Sequence, residues 1–155
     1  AVHLEKLEAG VSVVQIVGEF EDKLNAADLT LLIQKPETPV YVMADGRHFW
    51  RVIDNLMNNI CKYAQPGTRV YVDLRENGGQ VELIFRNTSR YPLNISSEEL
   101  MERFVRGDSS RHTEGSGLGL SIAKSLVELQ GGRFELSIDG DLFRADISLP
   151  LYRPQ

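Results

Sequence analysis

The chain of 155 residues has one cysteine, Cys61, so no internal disulfide can form. A reducing compartment is the expectation, with Cys61 read as a buried structural thiol because it falls in an apolar helical pattern. No apolar run approaches the roughly 18 residues of a membrane-spanning helix, and no secretory leader is visible. Basic residues are in the minority, 17 against 22 acidic ones, and the net charge of −5 argues against a general nucleic-acid or anionic-membrane surface. Repeats and low-complexity segments are missing too. What remains, 42% apolar and 25% charged, is the composition of one ordinary globular domain with its own core. The chain starts at Ala1 rather than Met and enters an element almost at once, so a piece of a longer protein is expected, with any membrane attachment elsewhere.

The Gly-Lys-Ser or Gly-Lys-Thr triplet of a Walker loop is also absent. Glycines are instead spaced at 115, 117 and 119, in Gly115-Ser116-Gly117-Leu118-Gly119-Leu120-Ser121-Ile122-Ala123-Lys124. A dinucleotide-binding turn needs its third glycine one residue later and a strand before the first; here a polar segment, 106–114, comes before. Leu118, Ile122, Leu126 and Leu129 then recur as one face of an amphipathic helix that ends at Gly131-Gly132. A loop feeding an open helix N-terminus offers unpaired N–H groups and a positive dipole end, and glycines let an anion come close. The expected guest is a phosphate.

Earlier in the chain, 2–8 reads as a short edge strand, 12–27 as a helix and 29–33 as a strand. Pro36 and Pro39 interrupt it, and 40–43 resumes as a second, hairpin-like strand. Asp45 is the expected N-cap of a helix over 47–63 that Gln65-Pro66-Gly67 stops. Strands at 69–76 and 80–87 flank Asn77-Gly78-Gly79, a hairpin signal; 96–104 is a short capped helix; and 133–138 and 142–149 close the chain as another hairpin. The sum is an α+β fold, a two-layer sandwich of helices on one face of a mixed, mostly antiparallel sheet.

On the 47–63 helix, positions 49, 52, 53, 56, 57 and 60 form a core-facing band, while Asn55, Asn59 and Lys62 share one polar stripe. A solvated face is the ordinary meaning of such a stripe. Asn, however, costs up to about 0.7 kcal/mol relative to Ala in a helix interior, and three occur within five residues. An Asn oxygen can enter the first shell of Mg²⁺, which keeps waters and takes few protein oxygens beside phosphates, and Lys62 can neutralise phosphate charge.

The motifs 55–63, Glu102-Arg103-Phe104-Val105-Arg106-Gly107-Asp108 and 115–124 with Gly131-Gly132, closed by Ile147-Ser148-Leu149-Pro150, resemble the catalytic ATP-binding domain of bacterial sensor histidine kinases. The wider superfamily includes gyrase, a mismatch-repair ATPase and the heat-shock chaperone ATPase, and its fold is the Bergerat ATP-binding fold. The resemblance implies ATP and Mg²⁺ as cofactors, with Asn59 on the metal, Asn55 supporting metal-bound water and phosphates, Lys62 and Arg106 on phosphates, and Tyr63 against adenine. Segment 106–114 would be the nucleotide lid. Gly115, Gly117, Leu118 and Gly119 would present backbone N–H groups, with Ser116 and Leu120 in the same nucleotide-binding stretch. Hydrolytic relatives carry Glu where this chain has Asn55; Asn cannot take a proton, so transfer rather than hydrolysis is expected.

One departure stands out. Where the resemblance calls for Asp-x-Gly-x-Gly, the chain has Asn87-Thr88-Ser89-Arg90-Tyr91. The Asn87 amide oxygen can still accept the adenine amino group, without charge, at a cost on the order of 1 kcal/mol. None of His3, His48 and His112 has the surroundings of a phosphoacceptor. The resemblance therefore implies phosphoryl transfer to a histidine on a helical domain of the same parent, a response regulator reached through that domain, no nucleic acid, a monomeric fragment of a homodimeric parent, and a cytoplasmic position in an inner- or plasma-membrane sensor. The alternative is a degenerate, non-catalytic binding module of the same fold.

Overall fold

Alternation along the strands decides which side of the sheet is buried, and the helices follow from that. The computed structural model describes residues 2–93, 99 and 118–152. In chain order these form β1 (Glu5–Glu8), α1 (Ala9–Gly18), α2 (Glu21–Ala26), β2 (Thr30–Gln34), β3 (Tyr41–Ala44), α3 (Gly46–Tyr63), β4 (Arg69–Asn77), β5 (Gln80–Thr88), α4 (Leu118–Leu129), β6 (Arg133–Asp139) and β7 (Leu142–Pro150). The main sheet runs β2-β4-β5-β7-β6, parallel at β2–β4 and antiparallel elsewhere. Val70, Val72 and Leu74 on β4, Val81, Leu83 and Phe85 on β5, and Phe143, Ala145, Ile147 and Leu149 on β7 are buried in one core with the inner residues of α1, α3 and α4. The outer face carries ion pairs such as Arg86–Asp73 at 2.8 Å and Arg144–Asp146 at 2.7 Å. The two-layer α+β architecture expected from the sequence is the one observed.

Four local readings need correction. Segment 12–27 is two helices, because α1 starts three residues earlier, where the Glu8 carboxylate caps Gly10 and Val11, and ends at Gly18 before the buried Phe20. Glu is an uncommon N-cap, so that start carries no sequence signal. Strand β3 makes no hairpin with β2. It pairs with β1 in a separate antiparallel ribbon, while β2 lies parallel to β4; parallel strands need a long crossover, and α3 lies within the one that links them. On α4 the buried arc is Leu120, Ala123 and Val127, and Leu129 of the expected stripe is 60% exposed. Small Ala123 lets α4 lie close over the core. Cys61 is half-buried rather than buried, and desolvation raises its thiol pKa, keeping it protonated.

Helix α3 is fixed at both ends. At its start the buried Asp45 carboxylate accepts from the backbone N–H of Arg47 (3.0 Å), His48 (3.2 Å) and His3 (2.7 Å). At its end Ala64 bridges Ser89, Gln65 N–H donates to the Thr88 carbonyl (2.8 Å) and Arg90 N–H to that of Tyr63 (2.8 Å), docking the helix on the tip of β5. Gly131 takes φ +82° just past α4, and a Cβ on Gly132 would lie 2.3 Å from the Ser148 carbonyl oxygen.

Two outcomes follow from these contacts. Gly132→Ala forces the backbone away from β7 and lowers the unfolding free energy by about 1–3 kcal/mol in urea titrations. The Asp45 pKa is lowered, chiefly by the His3 N–H bond, so its carboxylate adds stability above the unfolded value of about 3.9 and loses it as pH falls through the folded value. Asp45→Asn, which still caps, should flatten the acid-side loss of stability, as read by the thermal midpoint from pH 5 downward.

Candidate functional site

The band at 49, 52, 53, 56, 57 and 60 is buried as read from the sequence. The polar stripe beside it is no simple solvated face. Asn55 and Lys62 are half-buried, and Asn59 is only 8% exposed, with an Oδ1 that has no hydrogen-bond partner among the described residues. On the sheet below, the inward row Val81, Leu83, Phe85 ends in Asn87, 6% exposed, whose Oδ1 is likewise without a partner. A buried acceptor left unpaired costs about 1–3 kcal/mol. Two such amide oxygens, on the two residues assigned to metal and adenine, fit a ligand that brings a hard cation for one and an N–H donor for the other.

The docking of α3 on β5 puts Lys62 and Tyr63 at the same end of the helix as the Asn87 strand tip. The Lys62 ammonium lies 5.2 Å from the Tyr63 ring centroid, a cation–π distance. From the other side comes the first turn of α4, where the Asn55 Nδ2 donates to the Gly119 carbonyl at 3.3 Å. A Cβ on Gly119 would meet Asn55 at an ordinary 3.7 Å, and the residue has no positive φ. Among the described residues, neither strain nor crowding requires glycine there. Gly in a helix costs about 1 kcal/mol relative to Ala, so close approach of a guest to the backbone is the remaining physical use for it. The Leu120 side chain is wholly in the core, which leaves only its backbone for a ligand.

The structure thus brings Asn55 against Gly119, sets Asn59 beside Asn55 on α3, and places Tyr63, Lys62 and Asn87 where α3 meets β5. Arg106, Gly115, Ser116 and Gly117, the 96–104 helix, the 106–114 segment and His112 lie outside the described residues, and Leu118 is described only as the first residue of α4. His3 and His48 belong to the cap of α3, with His48 Nε2 3.7 Å from Asp45. Two polar residues went unnoticed in the sequence. Gln130, 3% exposed, accepts the Asp45 N–H at 2.9 Å and donates to the Leu126 carbonyl at 2.8 Å, joining the far end of α4 to the start of α3. Its signal was there, since 120, 123, 127 and 130 share one helical face. Buried Ser89 takes the Tyr91 N–H on its Oγ at 3.2 Å and donates its own N–H to Asp141, shaping the strand tip without glycines.

An ATP-binding fold with one unpaired asparagine oxygen on its central helix and another on the adjoining strand defines the class, and the comparisons agree. The chain belongs to the family of histidine kinase-, DNA gyrase B- and HSP90-like ATPases, whose model matches residues 44–153. It is 33% identical over 134 residues to the probable sensor kinase SilS of Salmonella typhimurium, covering 84% of this chain and 27% of that protein. To the probable sensor protein PcoS of Escherichia coli it is 35% identical over 101 residues, 64% of this chain and 22% of that one. The chain therefore spans about a quarter of the length of these relatives. Among solved structures, the histidine kinase AdeS of Acinetobacter baumannii superposes with a TM-score of 0.78 at 20% identity, over 99% of this chain and 70% of that one. A mycobacterial sensor histidine kinase, MprB, gives 0.77 at 24% identity over 99% and 100%.

Exchanging Asn59 for the isosteric, apolar Leu removes the unpaired oxygen. The ligand-free chain should gain on the order of 1 kcal/mol in urea unfolding while losing any extra stabilisation by Mg²⁺ over nucleotide alone. A ligand-free loss of stability instead would show that the Asn59 oxygen is satisfied.

Proposed function

We propose that this chain binds ATP with Mg²⁺ and donates the γ-phosphate to a histidine on a phosphoacceptor helical domain of its parent, a sensor histidine kinase of a two-component system. The observation that carries the proposal is the pair of buried, unpaired amide oxygens on Asn59 and Asn87. Asn59 would hold the metal. Asn87 would accept the adenine amino group, Tyr63 would lie against the base, and Lys62 and Arg106 would hold phosphates. The stretch from Gly115 through Ser116, Gly117, Leu118 and Gly119 to Leu120 would offer N–H groups to the phosphate oxygens. Bound Mg²⁺ supplies charge neutralisation on the phosphates. Phosphoryl transfer asks chiefly for positioning and electrostatics, and Asn55 has no basic group with which to activate water, so transfer is favoured over hydrolysis.

In this reading the parent is a homodimeric membrane sensor and reaches its response regulator through the phosphoacceptor domain. The isolated chain is a monomer that acquires no stable phosphate from γ-labelled ATP. No helix among the described residues is long and apolar enough to cross a membrane. A second reading, a degenerate module that has lost nucleotide, is favoured by the neutral Asn87 and the missing glycines after it.

Calorimetric titration separates the two. ADP and a non-hydrolysable ATP analogue should bind the unmodified chain, more tightly with Mg²⁺. Asn59→Ala should lose the magnesium-dependent increment, and Asn87→Ala should lose about tenfold in affinity with or without metal. No binding to the unmodified chain would support the degenerate module.

A further inference from the structure

We infer that Asn55 is a positioning residue for the phosphate-binding turn: its amide N–H₂, held on the Gly119 carbonyl, fixes the first turn of α4 and its N–H groups before any metal or nucleotide arrives. The inference rests on the nucleotide-site reading and extends it. An Asn side chain has one donor end and one acceptor end. In this structure the donor end reaches 64 residues along the chain to the Gly119 carbonyl, at 3.3 Å. The contact is more than one bond, because Gly119 brings its backbone against Asn55, with the Cβ and Cγ of that residue 3.7 and 3.8 Å from where a Cβ of its own would stand.

The location matters as much as the bond. The opposite end of α4 is already tied to α3 through Gln130 and the Asp45 N–H, and the middle of α4 is packed by Leu120, Ala123 and Val127. The first turn is anchored on one side by the buried Leu120, and the Asn55 bond holds the Gly119 peptide on the other. The unpaired N–H groups of a helix start point along the axis, so their aim depends on how that turn is held. A carboxylate of the same shape at position 55 could not donate and would repel the Gly119 carbonyl. Amide chemistry is therefore required there for a reason separate from the metal.

The test compares the unmodified chain with Asn55→Leu and Asn55→Ala, which remove the donor without adding charge, and with Asn59→Ala, which leaves the Gly119 bond intact. Hydrogen–deuterium exchange without ligand should quicken by about tenfold at 122–124, whose N–H groups bond the carbonyls of the first turn, in both Asn55 variants and stay unchanged in Asn59→Ala. In metal-free buffer, affinity for ADP should fall about fivefold or more in the Asn55 variants, while affinity for adenosine, which has no phosphate, stays within twofold. Unchanged exchange at 122–124, or equal loss for adenosine and ADP, overturns the positioning role. The exchange arm needs no nucleotide, so it decides the proposal even where the unmodified chain binds none. That last outcome would count against the ATP site alone.

Discussion

Everything in this domain depends on keeping one edge of α3 dry while leaving its oxygen unpaired. The helix must bury Phe49, Val52, Ile53, Leu56, Met57 and Ile60 against the sheet, and in doing so it carries Asn59 below the surface with them. An unpaired buried acceptor costs about 1–3 kcal/mol, a large fraction of the 5–15 kcal/mol by which a domain is stable. Among the described residues three such oxygens are held, on Asn59, Asn87 and Asp73; the last belongs to a carboxylate paired with Arg86 through its other oxygen, and the two amides have no such pairing at theirs. Such a cost persists only where the surrounding packing leaves the side chain no alternative. Here the sheet row 81, 83, 85 leads Asn87 inward, and the apolar band of α3 fixes the rotation of Asn59.

The second constraint is the placement of α4. Its middle is held by apolar packing, but its two ends are tied to α3 by amide side chains of opposite origin, Gln130 reaching from α4 to the Asp45 N–H and Asn55 reaching from α3 to Gly119. Asp45 also takes the His3 N–H, so the entry of the chain, the start of α3 and the end of α4 meet in one buried polar cluster. The far cluster sets where α4 lies. The near bond sets where its first turn points. Between them, the distance from Asn59 to the Gly119 backbone becomes a property of the fold.

Much of this was legible in the sequence, for reasons that can be named. The hairpin β4–β5 follows from Gly78 and Gly79, both at positive φ, and the α3 cap from Asp45, whose carboxylate is the N-cap seen. Clustered asparagines in a helix are expensive enough to stand out, and Asn59 proved to be buried. The errors arose where local pattern and tertiary contact disagreed. The partner of β3 is β1, far in sequence from the two prolines that suggested a hairpin. The buried arc of α4 is chosen by small Ala123 and by Gln130, and periodicity of large apolar residues points instead to the exposed Leu129. Glu8 caps α1 because its side chain happens to reach Gly10 and Val11, which no propensity scale anticipates. The Asn55–Gly119 bond links two motifs that sequence can only set side by side.

The most direct measurement of the central claim is the side-chain amide NMR signal of Asn59 and of Asn87, followed as the chain is titrated first with ADP and then with Mg²⁺. Two unpaired oxygens that wait for different parts of one ligand predict that the Asn87 amide shifts with ADP alone and that the Asn59 amide shifts only when Mg²⁺ is added. Asparagine signals that stay fixed through both additions while ADP binds would contradict the account, since the nucleotide would then sit where neither buried oxygen meets it.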